Sequence, residues 1–145
     1  LKQQARKEKT IIGRVEAVYF VDFEMGPLEA KVDTGAYSSS IHCFGVEERD
    51  GVLYFSLVDP DDPKQGTKEQ HTSEYSQTVV KSSNGERQRR YKVATTIQLG
   101  GKQFKTVFTL AERNEMKYSV LLGRKAIQKS FLVDVTKKFI HKKEK

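Results

Sequence analysis

Ala30-Lys31-Val32-Asp33-Thr34-Gly35-Ala36 is the stretch that decides how this chain is read. Ala30 and Val32 flank Lys31 with the alternation of a strand, and the strand runs into a carboxylate, a hydroxyl residue, a glycine and a small residue. Alone, such a segment is a strand entering an Asx-type turn. A second stretch, Tyr118-Ser119-Val120-Leu121-Leu122-Gly123-Arg124, changes its weight. It reads as a buried strand passing through a glycine into a short helix over Gly123–Ser130, with Ala126 and Ile127 apolar and Arg124, Lys125, Gln128 and Lys129 polar. A closing strand, Phe131 to Val135, follows.

Outward from these two stretches, a period of two dominates. Val15, Ala17, Tyr19, Val21 and Phe23 alternate with Glu16, Val18, Phe20 and Asp22, giving one mainly apolar and one mixed face; Leu53, Phe55 and Leu57 do likewise. Tyr91, Val93, Thr95, Ile97 and Leu99 alternate with polar residues, and Phe104 to Leu110 resumes the pattern after Gly100-Gly101. Adjacent glycines permit the positive φ of a two-residue hairpin turn, and Asn84-Gly85 makes the same case between a strand ending near Lys81 and one starting near Glu86. Asp59 to Gly66, with two prolines, reads as a mobile loop insertion.

The chain has 145 residues, 37% of them apolar and 31% charged, which suits one domain with an ordinary core. Mean hydropathy is −0.63, and no apolar run approaches the roughly 20 residues of a membrane-spanning helix. The net charge of +7 sits at the ends: Lys2, Arg6, Lys7 and Lys9 against Glu8, and Lys137, Lys138, Lys142, Lys143 and Lys145 against Glu144. Residues 10–136 hold seventeen basic and seventeen acidic groups. The expected organisation is therefore a basic tail over 1–9, a neutral domain over 10–136 and a basic tail over 137–145, with no nucleic-acid face. Cys43 is the single cysteine, so no intrachain disulfide forms and a reducing compartment is favoured. The N-terminus lacks Met and an apolar signal core and reads as trimmed or processed; the cytoplasm is the expected location.

Asp33 to Ala36, followed by Leu121 to Arg124 before a helix, resembles the retropepsin-like aspartic proteases. Ile11 to Glu16, Ala30 to His42, Val93 to Leu99 and Arg113 to Asp134 look most like a bacterial branch that carries the name "ATP-dependent zinc protease" and is associated with an ATP-grasp ligase adding glutamates to a ribosomal protein. The resemblance implies an all-β, closed acid-protease barrel with one short helix near the C-terminus. It implies Asp33 as the catalytic carboxylate, Thr34, Gly35 and Ala36 as support of the active-site loop, with Gly35 allowing the close backbone approach and Thr34 bracing the loop, and Leu121, Leu122, Gly123 and Arg124 as the motif before the helix.

Peptide hydrolysis without a metal needs one group to take a proton from water and another to give one to the carbonyl oxygen. Two carboxylates sharing a proton supply both, because like charges about 3 Å apart cannot both ionise. The chain has one Asp-Thr-Gly and no room for a second lobe, so the pair must come from a homodimer that apposes Asp33 with its copy. Acidic or poly-glutamate substrates are implied by the ligase association. The alternative is a catalytically silent barrel serving as an accessory or binding module of the ligase system. A third reading, nucleic-acid binding through the basic tails, predicts steep salt dependence.

Other residues invite weaker readings. Asp134 is a competing carboxylate but reads as structural, as does Asp22. Zinc is not expected: no His-Glu-x-x-His occurs, although His42, Cys43 and His71 are ligand types zinc accepts. ATP is not expected either, since Gly123-Arg124-Lys125 lacks the rest of a phosphate loop, and no cofactor is assigned. Ser38, Ser39 and Ser40 beside His42 read as a polar, turn-side stretch rather than a nucleophile with its base. Arg87, Arg89, Arg90 and Lys92 read as a solvated edge that deters aggregation, with docking of an acidic partner as the second choice. A flap over the cleft is expected within residues 45–75, or at the Asn84-Gly85 hairpin.

Overall fold

The computed structural model describes residues 8–58, 67–81, 84–112 and 117–141. Among them the strands are β1 (Thr10–Phe20), β2 (Met25–Val32), β3 (Ser39–Arg49), β4 (Val52–Val58), β5 (Thr67–Thr72), β6 (Tyr75–Lys81), β7 (Arg87–Leu99), β8 (Lys102–Ala111), β9 (Val120–Leu122) and β10 (Phe131–Lys138), with a four-residue helix, α1 (Arg124–Ile127), before the last. Strands β1-β2-β9-β3-β8-β7 form a continuous order, and pairing of Tyr19 with Gln98 and Phe20 with Ile97 joins β7 back to β1. The result is the closed, all-β, retropepsin-like barrel implied by the sequence. Outside the ring, β10 lies parallel on β1, β6 lies antiparallel on β7, and β4 and β5 extend from β3.

Alternation and turn chemistry explain most of this. Val93, Thr95, Ile97 and Leu99 point inward from β7, and Leu53, Phe55 and Leu57 from β4. Leu99 faces Lys102 across Gly100-Gly101, whose φ values are 57° and 78°, so two residues without Cβ close the β7–β8 hairpin. Asn84-Gly85 lies in the connection between β6 and β7, beyond the pair Lys81 and Arg87. The rings of Phe20 and Phe108 meet at 5.3 Å, and Phe23 packs edge-on against Phe55 at 5.6 Å. Each such burial is worth about 1.5–3 kcal/mol before entropy is counted.

Several boundaries differ from the sequence reading. β1 starts at Thr10 and ends at Phe20, because Val21 to Glu24 form a turn that Asp22 pins by accepting from Thr95 Oγ1 (3.1 Å) and Thr96 N–H (2.9 Å). Its inward residues are Glu16, Val18 and Phe20, from the face read as mixed. The helix is shorter than Gly123–Ser130, because the chain must turn at residues 128–130 to bring Thr10 N–H onto the Ser130 carbonyl (2.9 Å) and start β10 beside β1. β10 then runs on to Lys138, past the boundary at 136. The Asp59–Gly66 loop lies outside the described residues.

Glu16 is a fully buried carboxylate. It accepts from the backbone N–H of Gly13 (2.7 Å), Ile140 (3.1 Å) and His141 (3.3 Å), which clasps the segment after β10 onto β1. Close packing here depends on Gly13, where a Cβ would lie 2.5 Å from the Lys137 carbonyl oxygen. Removing a buried acceptor strands its donors at a cost of about 1–3 kcal/mol each. Glu16→Ala is therefore expected to lower stability by about 3 kcal/mol, seen as a lower urea midpoint, with the Ile140 and His141 amides losing exchange protection.

Candidate active site

Asp33 sits at the first position after β2, and its placement follows from the parallel pairing of β2 with β9. Val32 pairs with Leu122 of β9, and Asp33 N–H donates to the Leu122 carbonyl (2.8 Å). The chain then reverses: Gly35 N–H donates to Asp33 Oδ1 (3.1 Å) and Ala36 N–H to the Asp33 carbonyl (3.2 Å). This is the Asx turn that Asp-Thr-Gly encodes. A Cβ at Gly35 would stand 3.3 Å from Asp33 Oδ1, so glycine leaves the carboxylate room. Asp33 itself is half-buried, while Thr34 and Gly35 are exposed.

The Leu121–Arg124 motif holds this loop in place. Arg124 N–H and Lys125 N–H, the first amides of α1, donate to the carbonyls of Ala36 (2.9 Å) and Tyr37 (3.0 Å), which substitute for a side-chain cap. Gly123 N–H donates to Ser39 Oγ (3.0 Å), and Arg124 Nη1 donates to the Thr34 carbonyl (2.9 Å). Leu122 and Gly123 are buried. Arg124→Ala is expected to cost no more than about 1.5 kcal/mol of global stability, because the side chain is exposed, yet to speed amide exchange selectively at residues 34–37.

Ser38 is an exposed bend residue, as read, whereas Ser39 and Ser40 require a correction. Ser39 and Ser40 open β3, a strand inside the barrel, rather than a turn, and Ser39 is 2% exposed. Its hydroxyl serves the Gly123 amide. His42 is also buried, with its ring centroid 4.6 Å from that of Phe44 and its Nε2 without a hydrogen-bond partner among the described residues. Cys43 points to the opposite face, into the core, where burial above all, with Glu112 adding to it, pushes its thiol up to about 12. His71 faces Tyr54 at 5.8 Å on the β4–β5 pair. Among the described residues no group of three His, Cys, Asp or Glu side chains is placed to hold a metal ion. Asp134 Oδ1 accepts from Thr136 N–H (2.9 Å) and Thr136 Oγ1 (2.6 Å), bonds that hold its carboxyl below the usual range. These bonds lie where β10 shifts register against β1, inside the strand.

A groove opens beside Asp33. Ala36 and Ser38 from the Asp33 loop, Ser40 from β3, and Thr78, Arg90 and Lys92 from the β6–β7 hairpin share one cavity of about 370 Å³. Arg90 and Lys92 are half-buried there, whereas Arg87 and Arg89 are exposed. The reading of the four as a solvated edge fails for this pair because β6 lies outside β7 and makes the edge instead. Their spacing of two, which places both on one face of a strand, was the available signal. Of the two flap segments, the hairpin supplies groove walls, while part of residues 45–75 lies outside the described residues.

A family model described as the retropepsin-like aspartic endopeptidase RimB matches residues 11–144. The chain belongs to the RimB-like family. Its barrel superposes on the crystal structure of a Legionella pneumophila protein of unknown function with a TM-score of 0.72 and 32% identity, covering 92% of this chain and 98% of that one. Among curated proteins it is similar to a probable alpha-L-glutamate ligase of Shewanella pealeana, 35% identical over 135 residues, and to one of Desulfotalea psychrophila, 30% identical over 131 residues. Those matches cover 90% and 87% of this chain but 30% and 28% of the relatives, so the RimB-like chain spans under a third of their length. No helix among the described residues is long and apolar enough to cross a membrane.

Proposed function

We propose that this chain is an aspartic endopeptidase that hydrolyses peptide bonds through a water held between two Asp33 side chains, one from each subunit of a homodimer. One carboxylate takes a proton from the water as its oxygen attacks the carbonyl carbon, and the partner carboxyl gives its proton to the carbonyl oxygen. Collapse of the tetrahedral intermediate returns a proton to the leaving amine. The observation that carries the reading is Asp33 itself: a half-buried carboxylate on a turn fixed by α1 and β9, in a loop whose Ala36 and Ser38 line a groove. Thr34, Gly35 and Ala36 shape that turn, and Leu121 to Arg124 support it. Acidic or poly-glutamate chains are the proposed substrates, and association with a glutamate ligase system accords with the curated relatives.

Subunit mixing tests the dimer. Equal amounts of wild-type chain and Asp33→Asn, allowed to exchange, should keep about a quarter of the wild-type activity if two Asp33 residues are needed, against about half if each chain works alone. The second reading, a non-catalytic module of the ligase system, is favoured by the relatives in which a similar segment is under a third of a probable ligase. It predicts no hydrolysis at any concentration and measurable binding to the ligase.

A further inference from the structure

The groove beside Asp33 has a floor made of a single cross-strand row. Leu121 pairs with Ser40, Ser40 with Thr109, and Thr109 with Lys92, so these side chains stand in line on the face opposite the core. The row passes one residue from the Leu122 carbonyl that anchors Asp33, and continues to Lys31 on β2 beyond Leu121 and to Ser76 on β6 beyond Lys92. Two residues further along β7, Arg90 pairs with Thr78 and adds a guanidinium to the same cavity. No Asp or Glu lines that cavity, and neither cation is in a salt bridge among the described residues. The Arg90 head donates from Nη2 to Gln88 Oε1 (3.4 Å). Two half-buried cations facing a groove without a counter-charge repel each other, and an anion between them relieves that cost.

We propose that this cavity is a subsite selecting an acidic side chain of the bound peptide, with Lys92 and Arg90 as its specificity-determining residues. The guanidinium offers paired donors to a carboxylate and the ammonium a mobile point charge. The hydroxyls of Ser40, Thr78 and Thr109 complete the polar wall, and Leu121 covers the aliphatic stem. A second cavity of about 600 Å³ shares Arg90 and Ala111 but carries a carboxylate, Glu112, beside Arg89, so the carboxylate-free lining belongs to the first cavity alone. The position of the subsite next to a scissile bond rests on the hydrolytic reading of Asp33; its preference for carboxylates does not.

Binding of fluorescein-labelled hexaglutamate and hexaglutamine to the Asp33→Asn chain, followed by anisotropy, separates the two. Hexaglutamate should bind at least about tenfold more tightly than hexaglutamine, and Arg90→Gln and Lys92→Gln should each weaken it about tenfold. Lys129→Gln with Lys137→Gln, which removes two charges away from the groove against one in either single variant, should leave it within about twofold. The reversed pair, Arg90→Glu with Lys92→Glu, should bind labelled hexalysine instead, which a merely unfolded variant would not do selectively. Absence of hexaglutamate binding, equal binding of hexaglutamine, or equal weakening by the Lys129 and Lys137 pair would overturn the subsite. None of these results depends on hydrolysis, so the catalytic reading stands or falls separately.

Discussion

Asp33→Asn should abolish peptide hydrolysis, lowering kcat/KM by about 10³-fold or more, while the barrel stays intact. The two halves of that expectation have separate causes. An amide can neither take a proton from water nor give one to a carbonyl oxygen, so both roles that the proposed mechanism gives the carboxylate would be lost in both subunits of the proposed dimer. The local fold asks less of the side chain: its Oδ1 accepts one hydrogen bond, from Gly35 N–H, and an Asn Oδ1 accepts the same bond. Denaturation midpoints of the two chains should therefore agree within about 1 kcal/mol. Unchanged hydrolysis by a folded Asp33→Asn chain would remove Asp33 from the mechanism.

Gly123→Ala should produce the largest loss of stability of any single methyl addition near the site. A Cβ at that position would stand 2.5 Å from the Ser38 carbonyl oxygen and 2.6 Å from both the Ser38 carbonyl carbon and the Tyr37 carbonyl oxygen. All three are backbone atoms, so no side chain can swing aside to make room. Either β9 separates from the Asp33 loop, breaking the Gly123 N–H bond to Ser39 Oγ and the amide bonds from α1, or the loop itself moves. The expected cost is about 3 kcal/mol, at the upper end for overpacking, measured as a shifted denaturation midpoint. In the folded fraction, activity should fall as well, because the atoms displaced are those that place Asp33.

The legible parts of this fold were those in which one physical signal acts alone. Val93 to Leu99 alternates cleanly because β7 has one wall against the core, and Gly100-Gly101 closes its hairpin because the turn needs positive φ at both positions. Asp33 to Ala36 and Leu121 to Arg124 were legible as two motifs, and the structure joins them through the Ala36, Tyr37 and Thr34 carbonyls. Ser39 to Arg49 was not legible as a strand. Its start carries two serines whose burial is made possible by partners distant in sequence, Gly123 in the case of Ser39. The inward face of β1 was obscured for the same reason: Glu16 counts as a surface residue until Ile140 and His141 are seen to supply its donors. Arg90 and Lys92 look solvated in any local window, since only the pairing of β7 with β6 and β8 folds them over a groove.

The bond between Glu16 and Ile140 spans 124 positions of the chain. A nascent polypeptide thus exposes the acceptor well before the donors. Until the later segment emerges from the ribosome, β1 lacks one neighbour and its interior carboxylate lacks two of its three amides. Local hairpins such as β7–β8 can form during synthesis, but this long-range closure pays its loop entropy at the end. Docking of β10 and the segment after it onto the barrel is in that sense a readout that translation has passed residue 141, and a chain halted earlier carries an unpartnered carboxyl where the longer one carries a clasp.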